Sequence, residues 1–243
     1  MAGPSDPSMP LDQGPIDRAA LAPIRSPDPD RVTAGAARDM TKHHRAPAIS
    51  AQAAQARLAR GNARFVGGHA RFLTGLHERR TALAAAAQRP YAAILGCSDS
   101  RVAPELVFDA GLGVLFVVRV AGNVATPGVM GSLHYAVEHL ATPLLVVLGH
   151  QGCGAVQAAL EREAREHWKE EGIEVLMEAI LPGLADVDPA LGPAARMDAA
   201  VEANVRWVLR RLGKMPQARR EREDATIVGA VYELRTGRVR FLT

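Results

Sequence analysis

Three short apolar runs constrain this fold more than any other feature of the chain: YAAILGC (91–97), VLFVVRVAG (114–122) and PLLVVLGH (143–150). Each is rich in Val, Ile and Leu and lacks the polar–apolar alternation of a strand with one wet face. Strands of that kind must be covered on both sides, which is the situation of a parallel sheet held between helical layers. Helical spacing surrounds the runs: GVMGSLHYAVEHLA lies between the second and third, GAVQAALEREAREHW follows the third, and a long stretch covers roughly 194–213. Upstream, SAQAAQARLARGNARFVGG predicts a helix closing on Gly67-Gly68, a usual C-terminal cap. LHERRTALAAAAQ predicts another, ended by Pro90, since the residue before a proline resists the helical conformation. ATIVGAVYEL and VRFLT, joined by the turn RTG, read as a final strand pair at the sheet edge. The expectation is an α/β single domain: a mostly parallel central sheet flanked by helices, with a C-terminal antiparallel edge strand.

The first 45 residues differ in kind. MAGPSDPSMPLDQGPIDRAALAPIRSPDPDRV is dense in Pro, Asp, Ser and Gly, and such a segment buries too little to offset its conformational entropy. Residues 1–45 are therefore expected to form a disordered tail and 46–243 the folded domain. The formal net charge of +3 is spread over runs of mixed sign such as Arg219-Arg220-Glu221-Arg222-Glu223-Asp224. That pattern fits a solvated face and no nucleic-acid partner. No apolar run reaches the roughly 18 residues of a membrane span, and the N-terminus lacks the charged start and apolar core of a secretory leader. A cytoplasmic location follows as the expectation. There thiols stay reduced, so the chain's two cysteines point to metal or catalysis more than to a disulfide.

Their placement sharpens that choice. In open α/β sheets, sites form outside the carboxyl ends of the strands. Cys97 ends the first run, His150 ends the third, and Cys153 follows within GHQGCGAV. Taken singly, a strand-end cysteine is usually a small hydrophobe and a lone histidine usually a hydrogen-bonded residue. Three soft ligands at two strand ends are better explained by an ion. His-x2-Cys lets one loop turn both side chains onto it, and a distant Cys gives the Cys2His set that zinc favours where a fourth position stays open. The glycines at 149, 152 and 154 let that loop turn tightly. The other histidines, at 43, 44, 69, 77, 134, 139 and 167, lie in the tail or on helices and receive no role.

CSDSR followed about fifty residues later by GHQGCG resembles the β-class carbonic anhydrases, zinc enzymes of α/β type. The likeness extends over GNARF, VVRVAGN (117–123), GSLHYAV (131–137) and IVGAVYELRTGRV. The resemblance implies Cys97, His150 and Cys153 as zinc ligands, with Asp99 either a fourth ligand or the partner of a zinc-bound water, and Arg101 paired with Asp99. It also places Gln88, Phe116 and Tyr135 along a substrate cleft and implies a homodimer or homotetramer. Ile94 stands where some members carry a Trp belonging to an inhibitory bicarbonate pocket, which argues against that regulation here.

The chemistry of the residues agrees with the resemblance. Hydrating carbon dioxide near neutral pH requires a potent nucleophile, and zinc lowers the pKa of bound water from 15.7 to about 7. Two thiolates cancel the charge of the ion and weaken its Lewis acidity, so a polar neighbour has work to do. Asp99 can accept a proton in a hydrogen bond and Arg101 can clamp its carboxylate in bidentate fashion. Val102, Phe116 and Tyr135 offer a nonpolar gas an apolar place to dock. The expected activity is reversible hydration of carbon dioxide to bicarbonate. Hydrolysis of carbonyl sulfide or carbon disulfide on the same scaffold, or a non-catalytic zinc-binding protein, are the alternatives that the ligand motifs leave open.

Overall fold

The computed structural model describes residues 49–71, 80, 82–84, 86–163, 172–214 and 225–242. Helix α1 spans Ala51–Val66, and the Ser50 hydroxyl caps it by accepting the Ala53 N–H. Strand β1 is Ala92–Gly96, followed by a single helical turn α2, Pro104–Val107. Strand β2 is Leu115–Arg119 and helix α3 Pro127–Glu138. Strand β3 is Leu144–His150, and after it come α4 at Gly154–Glu163, α5 at Glu174–Leu184 and α6 at Pro193–Leu212. Strands β4, Thr226–Tyr232, and β5, Val239–Phe241, close the chain.

The five strands lie in the order β2-β1-β3-β4-β5. Every neighbouring pair is parallel except β4 with β5. This is the α/β architecture expected from the apolar runs, with the antiparallel strand β5 at one edge. Burial follows position. All residues of the central strands β1 and β3 are buried, whereas edge strand β2 is half-buried from Leu115 to Val118 and exposed at Arg119.

The strand period of two divides the core between the two faces. Ala93, Leu95 and Cys97 pack on one side with Val147, Val156, Ile180 and Val205. Ala92 and Ile94 pack on the other with Leu58, Phe108 and Val146. Fully buried side chains such as Leu95 and Ile94 each contribute about 1.5–3 kcal/mol of transfer free energy. The same alternation carries Cys97 onto the face covered by α4, α5 and α6.

The expected tail, residues 1–45, lies outside the described residues, as does most of the expected helix LHERRTALAAAAQ. Of that helix, 80 and 82–84 are helical, while 86–90 are not, so it stops well short of Pro90. Helix α5 is not among the elements predicted from the sequence, and it contains Pro182 and Gly183, two residues that ordinarily interrupt a helix. Both lie in its last turn, and Gly183 is required there: a Cβ would stand 2.7 Å from the Trp207 Cβ on α6.

One buried polar knot ties α1 to the rest. Asn62, 7% exposed, donates through Nδ2 to Val107 O (3.1 Å) and Gly237 O (2.8 Å) and accepts Val239 N–H on Oδ1 (2.9 Å). Close by on the same helix, Arg64 forms an ion pair with the buried Asp109.

Candidate metal centre

Cys97 follows β1 directly, His150 is the last residue of β3, and Cys153 stands just before α4. Because β1 and β3 are adjacent and parallel, their carboxyl ends bring all three to one place. Their ligand atoms lie within 4.8 Å of one another, and all three residues are buried. The sulfurs are 3.9 Å apart and both cysteines are free thiols. Two sulfurs each 2.3 Å from one tetrahedral centre would be about 3.8 Å apart, so the spacing suits an ion between them.

His150 supplies the most direct indication. It is fully buried, and among the described residues its Nε2 has no hydrogen-bond partner. Its Nδ1 lies 2.9 Å from Gln151 O. A carbonyl only accepts, so Nδ1 carries a proton, and Nε2 is the ring nitrogen left for the sulfurs. Such an outer hydrogen bond fixes the tautomer that a metal-binding histidine needs. An orphaned buried nitrogen costs free energy, and a cation among these three donors would remove that cost. The residues present therefore fit a soft divalent cation, with zinc suited to two thiolates and one imidazole.

The sulfurs are unequal in the metal-free chain. Cys97 has its pKa pulled down, first by the Cys153 thiol beside it, against burial, and then by His150 and the backbone N–H groups of Asp99 and Gly122. Cys153 is pushed up for the reciprocal reason, with burial adding to it. Gly122 donates its N–H to Cys97 Sγ at 3.4 Å. It sits in a 3-10 turn, Ala121–Asn123, at φ 67°, where an added Cβ would meet the Ile180 side chain at 2.6 Å. Asn204 on α6, 1% exposed, donates through Nδ2 to Gly122 O at 2.9 Å and holds that peptide in place.

Asp99 turns its carboxylate to Arg101. Nε of Arg101 donates to Oδ1 at 2.9 Å, Nη2 to Oδ2 at 2.7 Å, and the Arg101 backbone N–H to Oδ1 at 2.9 Å. The guanidinium holds the Asp99 carboxyl well below the usual carboxylate range, burial opposing it. Oδ2 also stands 3.9 Å from His150 Nε2, so the carboxylate borders the cluster. Arg119, the last residue of β2, donates from Nε to Cys97 O at 2.9 Å and from Nη2 to Asp99 O at 2.6 Å.

Of the four residues expected to line a cleft, Val102 adjoins the turn that carries Asp99, while the other three are placed further back along the sheet or on its covering helix. Val102, fully buried, follows the CSDSR turn. Phe116 is the second residue of β2 and pairs in register with Ala93, while Arg119 pairs with Gly96. It thus lies three residues, about 10 Å of strand, back from the metal end. Tyr135 packs on it at 6.4 Å between ring centroids and is 40% exposed. Gln88 is exposed and precedes β1, at the strand end opposite Cys97. Arg119, Gly122 and Asn204 are the surrounding residues that motif reading passed over.

A twisted parallel sheet with a Cys-His-Cys cluster at its carboxyl end defines a metal-site protein of the α/β class. Residues 92–239 match the family model described as carbonic anhydrase. A carbonic anhydrase of Mycolicibacterium smegmatis is 40% identical over 185 residues, covering 74% of this chain and 87% of that one. Carbonic anhydrase 2 of Mycobacterium tuberculosis is 38% identical over 206 residues, covering 79% and 93%. Among solved structures, the Coccomyxa β-carbonic anhydrase in complex with acetazolamide superposes with a TM-score of 0.59 at 28% identity, covering 70% of this chain and 86% of that one. The β-carbonic anhydrase CcaA gives 0.60 at 26%, covering 79% and 92%. The chain belongs to the carbonic anhydrase family.

Proposed function

We propose that this chain catalyses the reversible hydration of carbon dioxide to bicarbonate and a proton, with zinc held by Cys97, His150 and Cys153. The observation that carries the metal assignment is the His150 ring, fully buried with Nδ1 on a carbonyl and Nε2 left bare toward two thiols. Zinc, when bound, supplies the Lewis acidity that makes water a nucleophile near pH 7.

The remaining work falls to the chain's own residues. Asp99 stays ionised at working pH because Arg101 depresses its pKa. Its Oδ2, on the side facing His150, can accept a hydrogen bond from the attacking water and turn that oxygen's lone pair toward carbon. Arg101 holds both carboxylate oxygens, which stops the carboxylate from rotating. Val102, fully buried where the turn ends, would serve as apolar backing for the turn.

Gln88, Phe116 and Tyr135 enter this reading through a second copy of the chain. They stand back from the metal end of their own chain, and Phe116 and Tyr135 belong to the half-buried β2 edge and its covering helix. Pairing two copies along that edge would let the cleft residues of one reach the metal centre of the other. A homodimer or homotetramer is therefore part of the proposal. Among the described residues no helix is long and apolar enough to cross a membrane. A reducing cytoplasm would keep Cys97 and Cys153 in the free thiol form that metal binding requires.

Zinc content and the carbon dioxide hydration rate, measured on one purified sample by elemental analysis and stopped flow, test the proposal. About one zinc per chain with rapid hydration is the expected result. Zinc with no hydration, but turnover of carbonyl sulfide or carbon disulfide, would move the assignment to those substrates. Zinc with no turnover of any would leave a structural metal.

A further inference from the structure

The two arginines at the metal centre have different targets. Arg101 binds the carboxylate of Asp99, two residues away in the same turn, and the hydrogen bonds found for it among the described residues all go to Asp99. It is an internal clip: it fixes the carboxylate relative to the turn but not the turn relative to the fold. Arg119 makes that second connection. The parallel ladder between β1 and β2 ends at Gly96 and Arg119, and the last backbone bond beside it runs from Val120 N–H to Gly96 O at 3.1 Å. Beyond Gly96 the chain has left the sheet, and the Arg119 side chain takes over. Its planar fork reaches the carbonyls of Cys97 (2.9 Å) and Asp99 (2.6 Å), one residue a metal ligand and the other the proton acceptor. The Asp99 carbonyl also accepts the Val102 N–H at 3.0 Å, so that peptide is held from both sides.

We propose that Arg119 is a positioning residue for carbon dioxide hydration, setting the separation between the Cys97 sulfur and the Asp99 carboxylate by anchoring both peptides to the rigid end of β2. A guanidinium suits this task because it donates two fixed, charge-assisted hydrogen bonds to carbonyls two residues apart. Without them the 97–102 turn hangs from the sheet at Gly96, and the Asp99–Arg101 pair moves with it as one body. Supports of this kind around a metal centre typically govern activity by about 10- to 100-fold.

The test uses zinc-loaded full-length protein and the variants Arg119→Ala and Arg119→Lys. The activity arm rests on the carbonic anhydrase reading; the exchange arm does not. Arg119→Ala should retain its zinc and lose about 10- to 100-fold in kcat/KM. Free guanidinium ion at a non-denaturing concentration should restore part of that loss, and Arg119→Lys, with one compact donor group in place of the fork, should fall between the two. In peptide-resolved amide exchange, the Arg101 and Val102 N–H groups should exchange faster in Arg119→Ala than in the parent. A kcat/KM within about twofold of the parent, or unchanged exchange over 97–102, overturns the proposal. So does a rate loss that neither guanidinium nor lysine relieves and that tracks a fall in melting temperature. A parent protein with no hydration activity would instead overturn the functional reading, while the exchange arm would still report on the anchor.

Discussion

Two buried polar clusters lie on opposite faces of this sheet, and they differ in what they leave unsatisfied. At Asn62 both amide hydrogens and the amide oxygen have backbone partners at 2.8–3.1 Å. At the carboxyl ends of β1 and β3, a fully buried histidine keeps a bare nitrogen beside two thiols. The first cluster closes on itself and lowers the energy of the fold. The second has a deficit that only something outside the chain can fill. An orphaned atom alone does not make a site, since Thr142 Oγ1 is also buried without a partner. What separates His150 is the convergence of other donors on the same point. A deficit surrounded by ligands marks chemistry, and saturation marks structure.

The contrast can be broken most severely by removing one member from each cluster. Cys153→Ala, and likewise Cys97→Ala or His150→Ala, should lose most of the zinc and nearly all hydration activity. The stability cost to the metal-free chain should be only about 1 kcal/mol for Cys153→Ala, the worth of a small buried apolar group. Asn62→Ala should do the reverse. It strands Val107 O, Gly237 O and Val239 N–H; two of these bonds are only part-buried, so the low end of about 1 kcal/mol per group applies and a loss near 3 kcal/mol is expected with zinc content retained. Elemental analysis, chemical denaturation and stopped flow on the same variants decide it. A stable Asn62→Ala that has lost its zinc would erase the distinction.

Within the metal cluster, a smaller effect separates holding the ion from using it. Asp99→Ala removes the proton acceptor but none of the three clustered donors, and should keep zinc while losing about 10²- to 10⁴-fold in rate, the range of general acid–base contributions. Arg101→Ala should fall in the same direction, because it frees the carboxylate to rotate. Loss of zinc in Asp99→Ala would show that the carboxylate is itself a ligand.

How much of this was legible in the sequence depended on what each residue bonds to. β1 and β3 were legible because a strand buried on both faces must be apolar without interruption, and Cys97, His150 and Cys153 because thiols and imidazoles at matched strand ends are rare enough to signal. β2 ended sooner than its apolar run, at Arg119, because Gly122 at positive φ turns the chain under Cys97. Helix α5 ends in a Pro182-Gly183 pair that reads as a breaker, and Gly183 is kept there for the close approach to Trp207. Arg119 lies within VVRVAGN and Asn204 within the long predicted helix, but their roles were not legible, for a deeper reason. Their partners are backbone carbonyls 20–22 and 82 residues away in the chain, and a carbonyl carries no residue-type signature. Asn62, within GNARF, was left without a role on the same ground.

A third polar cluster tests the comparison where water competes. Glu202 on α6 accepts Arg206 Nη2 on Oε1 and Arg240 Nη2, from β5, on Oε2, both at 2.8 Å. The side chains are 31%, 43% and 54% exposed, so the group is saturated like Asn62 but solvated. Arg240 first, then Arg206, hold the Glu202 carboxyl below its ordinary value, burial opposing them. A carboxylate whose folded pKa is depressed stabilises the fold above its unfolded pKa, about 4.3, and loses that contribution as pH falls through the folded value. Exposure and screening limit the whole effect to about 1 kcal/mol or less. Glu202→Gln should therefore cost up to that amount at neutral pH, and the gap from the parent should narrow toward zero as pH falls through the depressed folded value, measured by denaturation of the metal-free proteins. Added salt should narrow it as well. If the gap were as wide at acid pH and high salt as at neutral pH and low salt, the link between α6 and β5 would rest on hydrogen bonds indifferent to charge. Saturation alone, as at Asn62, would then account for it.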